Sequence, residues 1–168
     1  VQLFTTTIYD VLDRYVEMYG QDAVIPVHRT PLGNFAASSM QYEPNLFQTM
    51  AIKGAEVILR TASGGFSPLD VQACAMYNRV YVSLANNALS PDDPHFFPDV
   101  GAGGSAIYGP DGKAMGKVNS QAEQLVVAYL PIAEFRAGHR QPAIALDLCR
   151  DVYDDYRGAY PPNMFSKY

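Results

Sequence analysis

The sequence predicts a mixed α/β fold built in layers, with helices packed on a sheet. Three observations carry this expectation. Residues 31–61 read in order as turn, strand, helix and strand, and residues 67–85 repeat the helix-then-strand step. The runs at 57–59 and 80–85 are short and apolar, with the β-branched content of strands buried on both faces. These two strands are expected as neighbours at the centre of the sheet, with helices over 44–53 and 68–79 covering one face.

Each element has its own local signal. Residues 5–20 form a helix pattern: Ile8, Leu12, Tyr15 and Tyr19 fall on one stripe, threonines precede it and Gly20 ends it. Residues 23–27 suggest a short or edge strand, because Pro26 cannot donate to a ladder. A turn at Leu32–Gly33 leads into a small-residue strand over 35–39. Pro44 then opens a helix with Leu46, Met50 and Ile52 as its apolar positions, and Gly54 stands at its C-terminal cap.

Ser67-Pro68-Leu69-Asp70 has the form of a capping box. The helix after it is expected to bury Leu69, Ala73, Met76 and Val80. Asn86-Asn87 closes the following strand. A long loop over 90–104 ends in Gly101-Ala102-Gly103-Gly104. A phosphate cradle there would need a helix N-terminus after it, and a strand pattern follows instead. Residues 105–108 and 114–118 flank a Gly-Pro-Asp-Gly hairpin turn. Residues 123–130 suggest a last strand, and 143–156 a last helix with Ile144, Leu148, Val152 and Tyr156 on one face. The whole of 1–168 reads as one domain, with 158–168 as a Tyr/Pro-rich C-terminal arm.

Composition narrows the function. Of 168 residues, 48% are apolar and 17% charged, which is globular. Net charge is −5 without a basic cluster, so neither nucleic acid nor anionic membrane is an expected partner. The longest apolar run, 125–133, contains Pro131 and is too short to span a bilayer. Cys74 and Cys149 form no CxxC pair and read as reduced core cysteines, which suggests the cytoplasm.

Several stretches together resemble the carbon–nitrogen hydrolase (nitrilase) superfamily, most closely its aliphatic amidase and formamidase branch. They are PLG with its small-residue strand, the proline-initiated helix ending in KGAEVILR, LDVQACAMYNRVYVSLANNA, GGSAIYGPDGKAMG, and the segment from FRAGHRQP to YPPN. The resemblance implies an αββα sandwich, of which this chain matches the C-terminal portion. It also implies hydrolysis of small amides or nitriles without a cofactor.

The family works with a Glu, a Lys and a Cys. The Glu and Lys lie in the part of the fold preceding the matched region, so no residue here is assigned to them. The Cys is expected at the elbow before the helix that Pro44 opens. Counting back from Pro44 places it at Ser38, and counting forward from Gly33 places it near Met40, because the segment is two residues shorter than the family pattern. No cysteine stands at either position. The triad is therefore expected to be absent and the chain alone inactive. The alternative is a non-catalytic scaffold or interaction subunit.

Other candidates are weaker. Ser38 and Ser39 are the hydroxyls at the elbow, but no G-x-S-x-G surrounds them, and small residues packed into a corner explain them as well. Family strand-end positions line the substrate pocket, which implies substrate contacts for Thr61, Ser63, Phe66 and Asn86; the same residues could equally satisfy their own backbone. His28, His95 and His139 lack metal-ligand spacing. Asp147, Asp151, Asp154 and Asp155 are interleaved with arginines as in a solvated ion-pair face, so no metal is expected. The strands are strongly apolar but only half the helices needed to cover both sheet faces are present. Association with a second copy or a partner chain through 143–168 is expected.

Overall fold

The structure is a computed structural model that describes residues 7–89, 101–141 and 144–155. The first helix, α1 (Thr7–Tyr19), ends where Gly20, at φ 83°, turns its N–H back to Val16. The segment expected as a strand at 23–27 is not one. Residues Gln21–Val24 make a 3-10 turn, and pairing begins only after Pro26, at β1 (His28–Thr30). The missing proline N–H accounts for the delay. Thr30 Oγ1 accepts from the Leu32 N–H at 3.1 Å and tightens the turn into β2 (Gly33–Ser38), which lies antiparallel to β1.

Pro44 opens α2 (Pro44–Ile52), which buries Leu46, Phe47, Met50 and Ala51. Ile52, expected on this face, is 43% exposed because it lies beyond the stripe that 46, 47, 50 and 51 define. Gly54 adopts φ 94° and donates to Ala51, the capping role its position suggests. Then comes β3 (Val57–Thr61), then α3 (Pro68–Asn78), whose N-terminus is capped by Ser67 Oγ accepting from the Asp70 N–H. The buried face of α3 is Val71, Cys74, Ala75 and Asn78. Leu69 and Met76, expected inside, are 72% and 46% exposed. Both stripes have helical spacing; the Asp70 ion pair described below selects between them.

The strand β4 (Tyr81–Ala85) follows, then β5 (Ala106–Tyr108) and β6 (Ala114–Lys117), joined by the expected Gly-Pro-Asp-Gly turn. The sheet order is β1-β2-β3-β4-β5-β6. Strands β2, β3 and β4 are parallel, with Ile58 beside Val82 and Arg60 beside Leu84. The two strands expected at the centre are neighbours there. Helices α2 and α3 pack together over the face bearing Ala36, Ile58, Val82 and Leu84. The opposite face is open at the C-terminal strand ends. Leu59 is 39% exposed and Ala37, Thr61 and Ala85 are exposed, so these strands are not buried on both sides as expected.

Two further corrections concern the C-terminal third. Residues 123–130 form no ladder. The apolar alternation is present, with Leu125, Val127 and Tyr129 exposed, and Val126 passes close over Gly116 of β6, but no backbone pairing forms with any of the described residues. A helix not foreseen, α4 (Ile132–Gly138), follows, and Phe135 packs on Tyr81 with ring centroids 5.2 Å apart. The last helix, α5 (Leu146–Asp155), lies within the expected span, but Leu148 and Val152 are 79% and 69% exposed. Cys149 is likewise exposed rather than in the core. His95, Tyr156 and the arm at 158–168 lie outside the described residues.

One carboxylate fastens α4 to the base of the sheet. Glu56, 7% exposed, accepts from Arg136 at 2.5 and 2.9 Å and from the Asn34 N–H at 2.7 Å. The Arg136 hydrogen bond, joined by that of Asn34, outweighs burial and holds its pKa below the ordinary value. Because the folded pKa is depressed, this stabilisation is present above the unfolded pKa and is lost as pH falls through the folded one. Glu56→Gln is expected to lower stability by about 1–2 kcal/mol at pH 7, since a charge-assisted pair becomes a neutral one. The difference from the parent should shrink as pH falls below about 4.3, the unfolded Glu pKa, and vanish only beneath the depressed folded value. Urea unfolding at pH 7 and pH 3.5 measures both arms; an equal deficit at the two would contradict the ion-pair account.

Candidate active site

The parallel strands β2, β3 and β4 end at the same edge of the sheet, where an open α/β sheet collects its ligands. A cleft of about 510 Å³ lies there, lined by Ser39, Gln41, Thr61, Ala62, Ser63, Gly64, Gly65 and Phe66. Two polypeptide segments build it. One is the elbow between β2 and α2; the other is the loop between β3 and α3.

The elbow is held from below by Arg60. This arginine, 1% exposed, donates through Nη2 to the Met40 carbonyl and to Asp70 Oδ2 at 2.5 Å. Its guanidinium lies between the rings of Phe47 and Phe66, at 4.2 and 4.8 Å from their centroids. Its Nε and Nη1 have no hydrogen-bond partner among the described residues, so one carboxylate and two aromatic faces carry its charge. Asp70 also accepts from the Tyr42 N–H at 3.3 Å. Tyr42 sits at φ 58°, a conformation that costs a non-glycine residue about 1 kcal/mol and needs such support.

Gln41 then ties the elbow to the loop, donating to the Gly65 carbonyl at 3.0 Å and accepting from the Ser67 N–H at 2.9 Å.

Of the residues singled out in the sequence, Thr61, Ser63 and Phe66 meet in this one cleft, joined by Ser39 and Gln41. Ser38 is buried on the helix side of the sheet, and its Oγ accepts from the Met40 N–H at 3.1 Å. Met40 is 3% exposed and belongs to the core. Asn86 is not in the cleft lining; it stands behind the wall, hydrogen-bonded to Gly64, Gly101 and Gly103.

Arg60, Gln41 and Asp70 were not foreseen. The available signal was an arginine inside an otherwise apolar strand, which has to find a buried partner.

Among the described residues no ionisable side chain lines the cleft. Glu43, at the start of α2, is partly buried, and that burial raises its pKa. Cys74 faces the core from α3; burial is the largest cause, and its thiol is pushed up to about 11. His28 is exposed on β1, and His139 stacks on Phe135 at 4.4 Å, at the opposite end of the sheet. No group of three or more His, Cys, Asp or Glu suited to a metal ion exists among the described residues. None of the described helices is long and apolar enough to cross a membrane.

The model of the carbon–nitrogen hydrolase family matches residues 1–140. The chain belongs to that family. Among solved structures it is similar to the NitN amidase from Nesterenkonia sp. AN1. Identity is 24% and the TM-score 0.56, over 76% of this chain and 49% of that one. It is similar also to a cysteine variant of that amidase in complex with butyramide, at 23% identity and TM-score 0.56, covering 76% and 47% of the two chains. A double variant in complex with acrylamide matches at 24% identity and TM-score 0.56, over 76% and 47%. One of these amidases is described as a member of the nitrilase superfamily. At this identity the likeness is one of fold, and the chain spans about half the length of the structures it matches. No curated protein matches it.

Two outcomes check the site. In the folded protein one thiol of two should react with Ellman's reagent at pH 8, namely Cys149, with Cys74 reacting only after unfolding. Asp70→Ala should cost about 3 kcal/mol in urea unfolding, because it leaves the Arg60 charge buried without its carboxylate.

Proposed function

We propose that this carbon–nitrogen hydrolase chain forms the amide-recognising side of a site for small neutral amides, of the aliphatic amidase or formamidase kind, and that residues 1–168 alone do not catalyse. The observation that carries the reading is the cleft at the β2–β4 ends. Its described lining offers the hydroxyls of Ser39, Thr61 and Ser63, the Gln41 amide, glycine backbone and one aromatic ring, and carries no charge. Such a surface suits a small polar, uncharged ligand, because an ion would lose its hydration there without a counter-charge. The complexes of the similar amidases with butyramide and acrylamide fit the same ligand class.

Acyl transfer by the family route needs an activated thiolate, a base and a positive group at the oxyanion. Cys74, with its raised pKa and core position, supplies none of this, and Ser39 has no base among the cleft residues. A serine hydroxyl without a base is a poor nucleophile at neutral pH. Turnover therefore requires groups from outside these residues, such as those of a partner chain.

A separate association is favoured by an exposed surface on the helix side, away from the cleft. Leu148 and Val152 on α5 are exposed, and beside Ile144 and Ala145 a groove of about 700 Å³ runs between α2 and α3 along Phe47, Ala73 and Tyr77. We assign this surface to assembly with a second copy of the chain, which would remove those side chains from water.

The expected result for the purified chain is ammonia release from formamide, butyramide or acrylamide no faster than the buffer rate. In a ¹H–¹⁵N titration, butyramide should shift resonances of Thr61 to Phe66. Ammonia release abolished by alkylating a cysteine would overturn the non-catalytic reading. Leu148→Asp together with Val152→Asp should lower the mass seen by light scattering, and an unchanged mass would place the interface elsewhere.

A further inference from the structure

We propose that Asn86 is the positioning residue of the cleft: its side-chain amide fastens the 62–66 wall to the 101–104 loop, and the wall keeps its shape only while that amide can donate. The amide is fully used inside the protein. Its Oδ1 accepts from the N–H groups of Gly64 at 3.1 Å and Asn87 at 3.0 Å. Its Nδ2 faces the carbonyls of Gly64 at 2.9 Å, Gly103 at 2.8 Å and Gly101 at 3.2 Å. An asparagine has two acceptor sites and two N–H donors, so no capacity remains for a ligand. Turning the amide over would set its N–H groups against backbone N–H groups and its oxygen against three carbonyls. One orientation alone is compatible with the surroundings.

The backbone around it has the matching shape. Gly101, at φ 64°, comes so near the wall that a Cβ on it would stand 2.7 Å from Gly65 Cα. A Cβ on Gly103, at φ 83°, would stand 2.4 Å from the Ser120 carbonyl. The Gly64–Gly65 and Gly101–Gly103 backbones thus close around a single side chain, which is itself anchored to the sheet. Asn86 directly follows β4, and its own N–H donates to Ser105 Oγ at 3.0 Å. The functional consequence, that Asn86 sets the affinity of the cleft, rests on the proposed reading of the cleft as an amide site; the mechanical one does not.

The test compares the full chain with its Asn86→Asp variant by amide hydrogen exchange and by butyramide titration, at pH 7 and pH 4. An ionised Asp would turn an anion toward three carbonyl oxygens, whereas a protonated one restores a single donor. At pH 7 the variant should exchange its Gly103 and Leu89 amides at least about tenfold faster than the parent, as expected for lost hydrogen bonds. Those amides bond to Asn87 and Gln121 across the loops. At pH 4 the ratio to the parent should fall back, with the strand amides of Ile58 and Val82 unaffected throughout. Butyramide shifts at 61–66 should follow the same pattern, a pH dependence that generic destabilisation would not produce.

Unchanged exchange at Gly103 and Leu89 overturns the proposal whatever butyramide does. The expected exchange with no butyramide shifts in the parent supports the positioning role and defeats the amide-site reading instead. If the Asp variant does not fold, Asn86→Ser, which keeps one donor, should accelerate the same amides to a lesser degree. Parent-like exchange in that variant overturns the proposal equally.

Discussion

A single buried charge governs the architecture around the cleft. Arg60 projects from the central strand β3 into the face that α2 and α3 cover, and nothing in an apolar interior tolerates a guanidinium without a partner. Asp70 is that partner, and reaching it turns α3 so that Val71, Cys74 and Ala75 face inward. The same guanidinium binds the Met40 carbonyl, and the same carboxylate binds the Tyr42 N–H. Strand, helix and elbow are thus set relative to one another by one ion pair. Phe47 and Phe66 close over it and bring the cleft wall into register with the core.

The two ends of the sheet are organised by different polar devices. At the base, Glu56 joins the β2 start, the β3 start and α4 through charge-assisted bonds. At the opposite edge, neutral amides do the work: Gln41 spans the elbow and the loop, and Asn86 spans two glycine loops. A charged latch responds to pH and salt, while amide clamps do not titrate. The walls of the cleft are therefore joined by groups that do not titrate, while the one ion pair at this edge, Arg60 with Asp70, is buried beneath the elbow. That arrangement keeps formal charge out of the cavity without leaving its backbone unsatisfied.

This neutrality bears directly on function. A family fold whose strand-end cleft shows no thiol, carboxylate or ammonium among its described lining residues fits the proposed separation of recognition from chemistry. Cys74 illustrates the distinction. It lies one helix away from the elbow, but its burial among apolar side chains makes it a core residue rather than a nucleophile. The open sheet face at Leu59 and the exposed stripe on α5 show that this chain's apolar surface is not all covered by its own helices.

The sequence by itself determined the elements whose signals are local. Pro44 and Ser67-Pro68 mark helix starts, Gly54 a helix end, Gly-Pro-Asp-Gly a hairpin, and the β-branched runs the central strands; all are present in the structure. It also kept Thr61, Ser63 and Phe66 together, because all three lie within six residues on one strand end and the loop that leaves it. Tertiary structure alone decided the rest. Helix α3 has two apolar stripes of equal periodicity, and a partner 10 residues away in sequence chose between them. The alternation at 123–130 specifies a strand only if a neighbour offers its backbone, and none of the described residues pairs with it. The role of Asn86 arises from glycine loops 15 and 22 residues distant in sequence. Local patterns report what a segment is able to form; which face it buries and what it bonds depend on groups that only folding brings near.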